Sequence, residues 1–108
     1  MAATRNRRPV SLEYSASAKL TEAEVSQLKG SLPNDDYVLV SAPSATRLLF
    51  RFGGRPTREE WPADVDLRFG DTVYVAIHSG TEAERREFLR HVGACLGELG
   101  HTCHFEER

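Results

Sequence analysis

The amino-acid sequence predicts one α+β domain, a two-layer sandwich in which two helices cover one face of a mixed sheet of about five to six strands. The chain has 108 residues, which is enough for one hydrophobic core and not for two. Several short segments alternate apolar and polar residues with the period of a half-buried strand. The letters TEAE occur at Thr21 and again at Thr81, and each run is a capping box that begins a helix.

The elements are expected in the order β-α-β-β-β-β-α-β. A polar, basic tail at 1–9, predicted to be flexible, precedes the domain at 10–108. The predicted strands are 10–16, 36–42, 46–52, 65–69, 73–77 and 101–106. Pro-Ser-Ala and Gly-Asp turns join the middle four strands into two hairpins. Gly30 and Pro33 are expected to end the first helix, and Gly100 the second.

The repeated strand, capped helix and strand indicate two halves of similar construction. If both halves make right-handed crossovers in the same direction, both helices lie on one face of the sheet. The arrangement resembles the ferredoxin-like sandwich with an inserted hairpin.

Charge and composition exclude several classes of partner. The net charge is −2, so the chain has no overall attraction to nucleic acid or to an anionic membrane. The sequence contains no apolar run of the roughly 20 residues that a membrane-spanning helix needs. The polar start at 1–9 is not expected to act as a secretory signal, and two cysteines are too few for a disulfide framework, so we expect a cytoplasmic protein with reduced thiols.

Four residues near the C-terminal end could carry chemistry. His91 and Cys95 are four apart on the second predicted helix, and His101 and Cys103 share one face of the last predicted strand. Such a set could hold zinc, or the cysteines could be small core residues with the histidines at the core margin. The spacing matches no compact zinc motif, and the sequence has no glycine-rich phosphate loop. We therefore expect no catalytic residues, no cofactor and no bound metal.

The sheet face opposite the helices is the stronger candidate for function. The alternation of side chains along each strand predicts that this face carries Tyr37, Leu39, Arg47, Leu49, Arg51, Asp66, Arg68, Tyr74 and His78. Tyrosine and arginine are enriched in protein interfaces, although an ordinary amphipathic sheet or a homodimer face would also show this pattern. The polar loop 53–64 carries Arg58 and Trp61, and a tryptophan there either packs down or anchors a partner. The predicted partner-binding residues are Arg47, Arg51, Tyr74, Tyr37, Arg58 and Trp61.

A small acidic α+β chain with this face and a long loop resembles, as a type, the immunity proteins of bacterial toxin systems. The resemblance implies binding to a cognate toxin and blockage of the toxin's active site, without turnover. Two alternatives stay open at this point. One is a ferredoxin-like ligand-sensing domain or homodimeric regulatory domain, and the other is a small zinc-binding protein.

Overall fold

The computed structural model of the chain describes residues 12–53 and 63–108. Its elements are β1 (Leu12–Ala16), α1 (Glu22–Ser31), β2 (Tyr37–Ser44), β3 (Arg47–Phe52), β4 (Val65–Phe69), β5 (Val73–Ile77), α2 (Glu82–Glu98) and β6 (Glu106–Glu107). The predicted element order and the α+β class are confirmed. The predicted tail at 1–9 lies outside the described residues.

The six strands form one open sheet in the order β2-β3-β4-β5-β1-β6. All of its neighbouring pairs within the described residues are antiparallel, so the prediction of a mixed sheet is wrong. Each helix does connect two strands that run in the same direction. However, β1 lies between β5 and β6, and three strands separate β1 from β2, so no parallel pair forms. The ferredoxin-like topology itself stays a prediction.

Both helices begin at the predicted capping boxes. The Thr21 hydroxyl accepts a hydrogen bond from the Glu24 amide at 3.1 Å, and the Thr21 amide donates to the Glu24 carboxylate at 2.9 Å. The same reciprocal pair forms at Thr81. Gly100 follows α2 with a positive φ of 92°, as expected of a helix stop, whereas α1 continues through Gly30 and ends just before the proline. Neither helix is long and apolar enough to cross a membrane, over the residues that the structure describes.

Both helices pack on one face of the sheet, as predicted. The inward side chains of the three central strands are buried: Leu48, Phe50, Phe52, Val65, Leu67, Phe69, Val73, Val75 and Ile77. They form one core cluster with Val25 and Leu28 of α1 and with the α2 stripe led by Phe88 and Val92. Neither α1 nor α2, the helices of the described residues, covers the opposite face of the sheet.

Tyr37 belongs to this core, so its predicted place on the opposite face is wrong. The β2–β3 hairpin pairs it with Phe52, an inward residue, and only 5% of Tyr37 is exposed. Its ring packs edge-on against Phe88 of α2, with 5.0 Å between the centroids. The segment that begins at Tyr37 is apolar at four successive positions, so alternation could not show which face points inward.

The last predicted strand is shorter than expected. Only Glu106–Glu107 form a ladder, as β6 against β1. The preceding residues keep the predicted alternation without ladder bonds, because Cys103 and Phe105 pack against the core while Thr102 and His104 are exposed. The apolar pattern is thus correct, although the strand assignment at 101–105 is wrong.

Asp64, just before β4, ties the ends of three central strands together. Its side chain accepts hydrogen bonds from the Phe52 amide at 2.8 Å and from the Ser79 hydroxyl. Its backbone amide donates to the Phe50 carbonyl, and its carbonyl accepts from the His78 amide, each at 2.8 Å. Asp64 is only 8% exposed, so these bonds form in a largely dry environment. These hydrogen bonds, which we call the Asp64 joint, fix the position at which β4 starts relative to β3 and β5.

Replacement of Asp64 by alanine should lower the free energy of unfolding by about 2–3 kcal/mol, because the Phe52 amide and the Ser79 hydroxyl lose their acceptor. Urea denaturation followed by circular dichroism measures this difference. The matched control is Asp71→Ala, since Asp71 has a 93% exposed side chain 3.9 Å from the Lys19 ammonium. The control should leave stability nearly unchanged. Equal stabilities for Asp64→Ala and Asp71→Ala would contradict the role assigned to the joint.

Candidate functional site

The face opposite the helices carries a row of polar side chains that runs across the central strands. We call it the open face and define it by Val38, Arg47, Leu49, Arg51, Asp66, Arg68, Tyr74 and His78. The register pairs Arg47 with Arg68 and Arg68 with Tyr74, which places these three side chains side by side. Asp66 is paired with Leu49 and lies one step along β4 on the same face.

Asp66 is a buried carboxylate on this otherwise solvent-facing side. It is 5% exposed, and it accepts two hydrogen bonds from Arg47, from Nε at 3.1 Å and from an Nη at 2.9 Å. Arg68 binds the same carboxylate through Nε at 3.4 Å and an Nη at 3.0 Å. Burial raises the pKa of Asp66, but the hydrogen bonds from Arg47 and Arg68 outweigh that effect and leave the pKa below its ordinary 3.8. The carboxylate is therefore ionised at neutral pH and holds both guanidinium groups in place.

Tyr74 extends the row towards β1. The Cζ atom of Arg68 lies 5.9 Å from the centroid of its ring, and that of Arg108 lies 5.5 Å away, both within cation–π distance. Burial and the neighbouring Glu13 raise the pKa of Tyr74 above its ordinary 10.0, although the two arginines oppose this effect. The phenol is therefore protonated at neutral pH.

These side chains line an open cleft of about 500 Å³ at one end of the open face. We call it the arginine cleft, and its walls include Arg47, Arg68, Tyr74 and Arg108, with Thr46 and Asp71 at the turns. Its volume lies within the roughly 300–1,000 Å³ that is usual for ligand sites. The walls are mainly polar, unlike those of most small-molecule pockets.

Three of the predicted partner-binding residues lie on the open face. Arg47 and Tyr74 both line the arginine cleft, and Arg51 lies further along β3, paired with Val38. Arg58 and Trp61 lie outside the described residues, and Tyr37 lies in the core.

Two features of this surface were not predicted. Asp66 and Arg68 were assigned to the face, but the burial of the Asp66 carboxylate and its ion pairs with Arg47 and Arg68 depend on the register of β3 and β4. Arg108 was missed, although it follows the outward Glu106 by two residues, a spacing that indicates the same face of a strand.

The candidate histidine and cysteine residues near the C-terminal end do not form one cluster. His91 Nε2 lies 2.9 Å from the Leu32 carbonyl oxygen and 4.0 Å from the Cys95 sulfur. His101 Nε2 instead lies 3.0 Å from a Glu24 carboxylate oxygen. Within 12–53 and 63–108, no group of three or more histidine, cysteine, aspartate or glutamate side chains is placed to hold a metal ion. These contacts tie α2 and its C-terminal end to α1.

The surroundings of both cysteines favour the neutral thiol. Burial raises the pKa of the Cys95 thiol and also that of the Cys103 thiol. Both thiols are therefore protonated at neutral pH, whereas nucleophilic catalysis requires a thiolate.

The exposed edge of the sheet at β2 is partly closed to strand addition. The Asn34 side chain accepts from the Tyr37 amide at 2.9 Å, and the Asn34 amide donates to the Tyr37 carbonyl at 3.0 Å. Further along, the register shifts twice and Pro43 removes a donor. β2 also carries two exposed apolar side chains, Val38 at 37% and Val40 at 38%. At this edge, the side chains of Val38 and Val40 are thus more accessible to a partner than the backbone hydrogen-bonding groups of β2 are.

Comparisons of the chain with protein-family models, with curated proteins and with solved structures found no match. The functional interpretation therefore rests on the contacts of the described residues. Those contacts gather arginine, tyrosine and apolar side chains on one broad face, a composition typical of protein interfaces.

Asp66→Asn should lower the free energy of unfolding at pH 7 by about 1–2 kcal/mol, because the arginine contacts lose a charged acceptor. We expect a loss of free energy in the lower part of this range, since the Arg47 and Arg68 side chains are 39% and 55% exposed and solvent weakens their contacts with Asp66. The native pKa of Asp66 is depressed below 3.8, so its stabilising effect is complete above that value and is lost as the pH falls through the native pKa. Urea denaturation at several pH values should show the two proteins converging in stability as the pH is lowered below 3.8. A difference that is independent of pH would contradict this account.

Proposed function

We propose that this chain is a non-catalytic protein-binding domain that contacts its partner through the open face. The observation that supports this most is the buried Asp66 carboxylate, which holds Arg47 and Arg68 in place on the sheet face that neither α1 nor α2 covers. Long arginine side chains normally lose conformational freedom when they bind, and side chains that are already held lose less. A pre-ordered arginine surface therefore suits binding.

The neighbouring groups suit a protein as the partner. Tyr74 supplies an aromatic surface beside the arginines, and Val38 and Leu49 add apolar area on the same face. Arginine, tyrosine and apolar side chains together form the centre of many protein interfaces. Because the β2 edge is partly closed, we expect contact through the face and not by addition of a strand.

The specific form of this proposal is an immunity protein that binds and inhibits a cognate bacterial toxin. An inhibitor of this kind needs a stable small scaffold and a pre-ordered surface that covers the active site of its target. The antiparallel sheet with both helices on its far side supports the first requirement, and the arginines held by Asp66 on the open face support the second.

A second copy of the chain is the alternative partner, as in a homodimeric regulatory domain. The open face has arginines on β3 and β4, whereas Glu13 lies on β1 and Glu106 on β6. A two-fold axis along the strands would place Arg47 and Arg68 of one copy over the strands of the other copy that carry Glu13 and Glu106. Sedimentation velocity at micromolar concentration separates the two cases, since a monomer excludes this dimer as the working state.

Two open-face variants, Val38→Asp and Arg51→Glu, should each weaken partner binding roughly tenfold or more, because each puts a carboxylate into the proposed interface. The partner is first captured from the source cells and identified by mass spectrometry, and its affinity for each purified variant is then measured by calorimetry. The matched control is Arg86→Glu on α2, whose side chain is 77% exposed and pairs with Glu82 in the helical layer. Unchanged affinity in both open-face variants, with thermal melting like that of wild type, would reject the open face.

A further inference from the structure

The arginine cleft has more cationic groups than its buried carboxylate can satisfy. Arg47 and Arg68 share Asp66, and each uses Nε and one Nη to bind it. In a planar guanidinium the second Nη points away from a carboxylate that is bound in this way. Those N–H groups remain as donors along the cleft wall, while the shared carboxylate balances only one of the two charges.

Arg108 adds a third guanidinium to the same cleft. Its contact is with the ring of Tyr74, and an aromatic ring attracts a cation without neutralising its charge. Arg68 approaches the same ring from 5.9 Å, so two cations meet on one tyrosine. Asp71 is the acidic residue in the cleft wall, and it lies 3.9 Å from the Lys19 ammonium. The Glu13 carboxylate lies at the Tyr74 hydroxyl, so Asp66 and Glu13 bring two carboxylates to three guanidinium groups, and one further anion would balance the remaining positive charge.

We propose that the arginine cleft binds carboxylate side chains from an acidic segment of the protein partner. This inference rests on the proposed function and adds to it the chemistry that the partner presents. Carboxylates fit the planar donors of Arg68 and Arg108, and bidentate pairing of this kind is directional as well as strong. The Tyr74 ring provides a surface beside the two arginines, against which the stem of a glutamate side chain can pack.

The surroundings favour an acidic protein segment over a nucleic acid. Glu13 and Glu106 lie on the β1 and β6 side of the same face, and Asp71 lies at the turn. A nucleic acid carries a continuous line of phosphates, so it would meet these carboxylates on leaving the cleft. An acidic protein segment can place one or two carboxylates in the cleft and turn away.

The experiment titrates the full chain with a blocked hexaglutamate peptide and follows the arginine Nε–Hε signals by NMR. We expect saturable shifts of Arg68 and Arg108, with a dissociation constant of about 1 mM or lower at low salt and weaker binding as salt is added. Hexalysine is the control peptide and should leave these signals unmoved. Inorganic phosphate and a short single-stranded oligonucleotide are titrated separately.

Arg108→Gln should weaken hexaglutamate binding at least about fivefold, because it removes one guanidinium without disturbing the Asp66 contacts. Arg86→Gln removes the same charge from α2 and should bind the peptide as wild type does. Equal weakening in both variants would show diffuse attraction by net charge and would overturn the inference. Tighter binding of phosphate or of the oligonucleotide than of hexaglutamate would also overturn it, as would no peptide binding.

The two proposals can fail separately. If Val38→Asp and Arg51→Glu release the captured partner while Arg108→Gln binds hexaglutamate normally, the open face remains the interface and the inference about acidic chemistry is wrong. If hexaglutamate binds as expected but the partner keeps its affinity for the open-face variants, the cleft binds carboxylates and the proposed interface is wrong.

Discussion

The open face depends on the joint at Asp64, because this joint sets the register of the central sheet. The Asp64 backbone forms hydrogen bonds with Phe50 of β3 and with His78 at the end of β5. Its side chain accepts hydrogen bonds from the Phe52 amide and the Ser79 hydroxyl. Side chains on a strand alternate with a period of two, so a shift of β4 by one residue would exchange its two faces. Asp66 and Arg68 would then enter the core, and Leu67 would face solvent. The arrangement of the arginine cleft therefore depends on the hydrogen bonds of Asp64, a residue outside the cleft.

This register buries the Asp66 carboxylate and places it where two arginines bind it. Removing a carboxylate from water is costly, and burial alone would raise its pKa, yet its net shift is downward because two arginines donate four hydrogen bonds to it. An apolar residue at this position would avoid the desolvation cost and could give an equally stable sheet. It would leave Arg47 and Arg68 free to sample many rotamers. The carboxylate thus contributes more to the order of the surface than to the stability of the fold.

Local patterns in the sequence predicted the helices and strands. The order and pairing of the strands depend on long-range contacts, which local patterns do not specify. The capping boxes at Thr21 and Thr81 are local chemistry, and both helices begin there. Alternation identified the inward side of β3, β4 and β5 because one face of each strand is clearly more apolar. Tyr37 was misplaced because β2 starts with apolar residues on both faces, and only its pairing with Phe52 decides between them. The antiparallel sheet and the buried state of Asp66 depend on strand order, which no local pattern contains.

The distribution of charge explains why a broad surface, and not a pocket, carries the proposed function. The cysteine thiols are protonated, His91 lies at a backbone carbonyl and His101 lies at a carboxylate, so these groups serve the packing of α1 and α2. The arginines lie on the opposite side of the sheet, where a layer of backbone and apolar side chains separates them from that helical layer. A partner that approaches the open face meets Arg47 and Arg68 over β3 and β4, and it meets Arg108 together with the Glu13 and Glu106 carboxylates over β1 and β6. This distribution restricts the orientation of the partner as well as its charge, because partner carboxylates that lie outside the cleft on this side would meet Glu13 and Glu106.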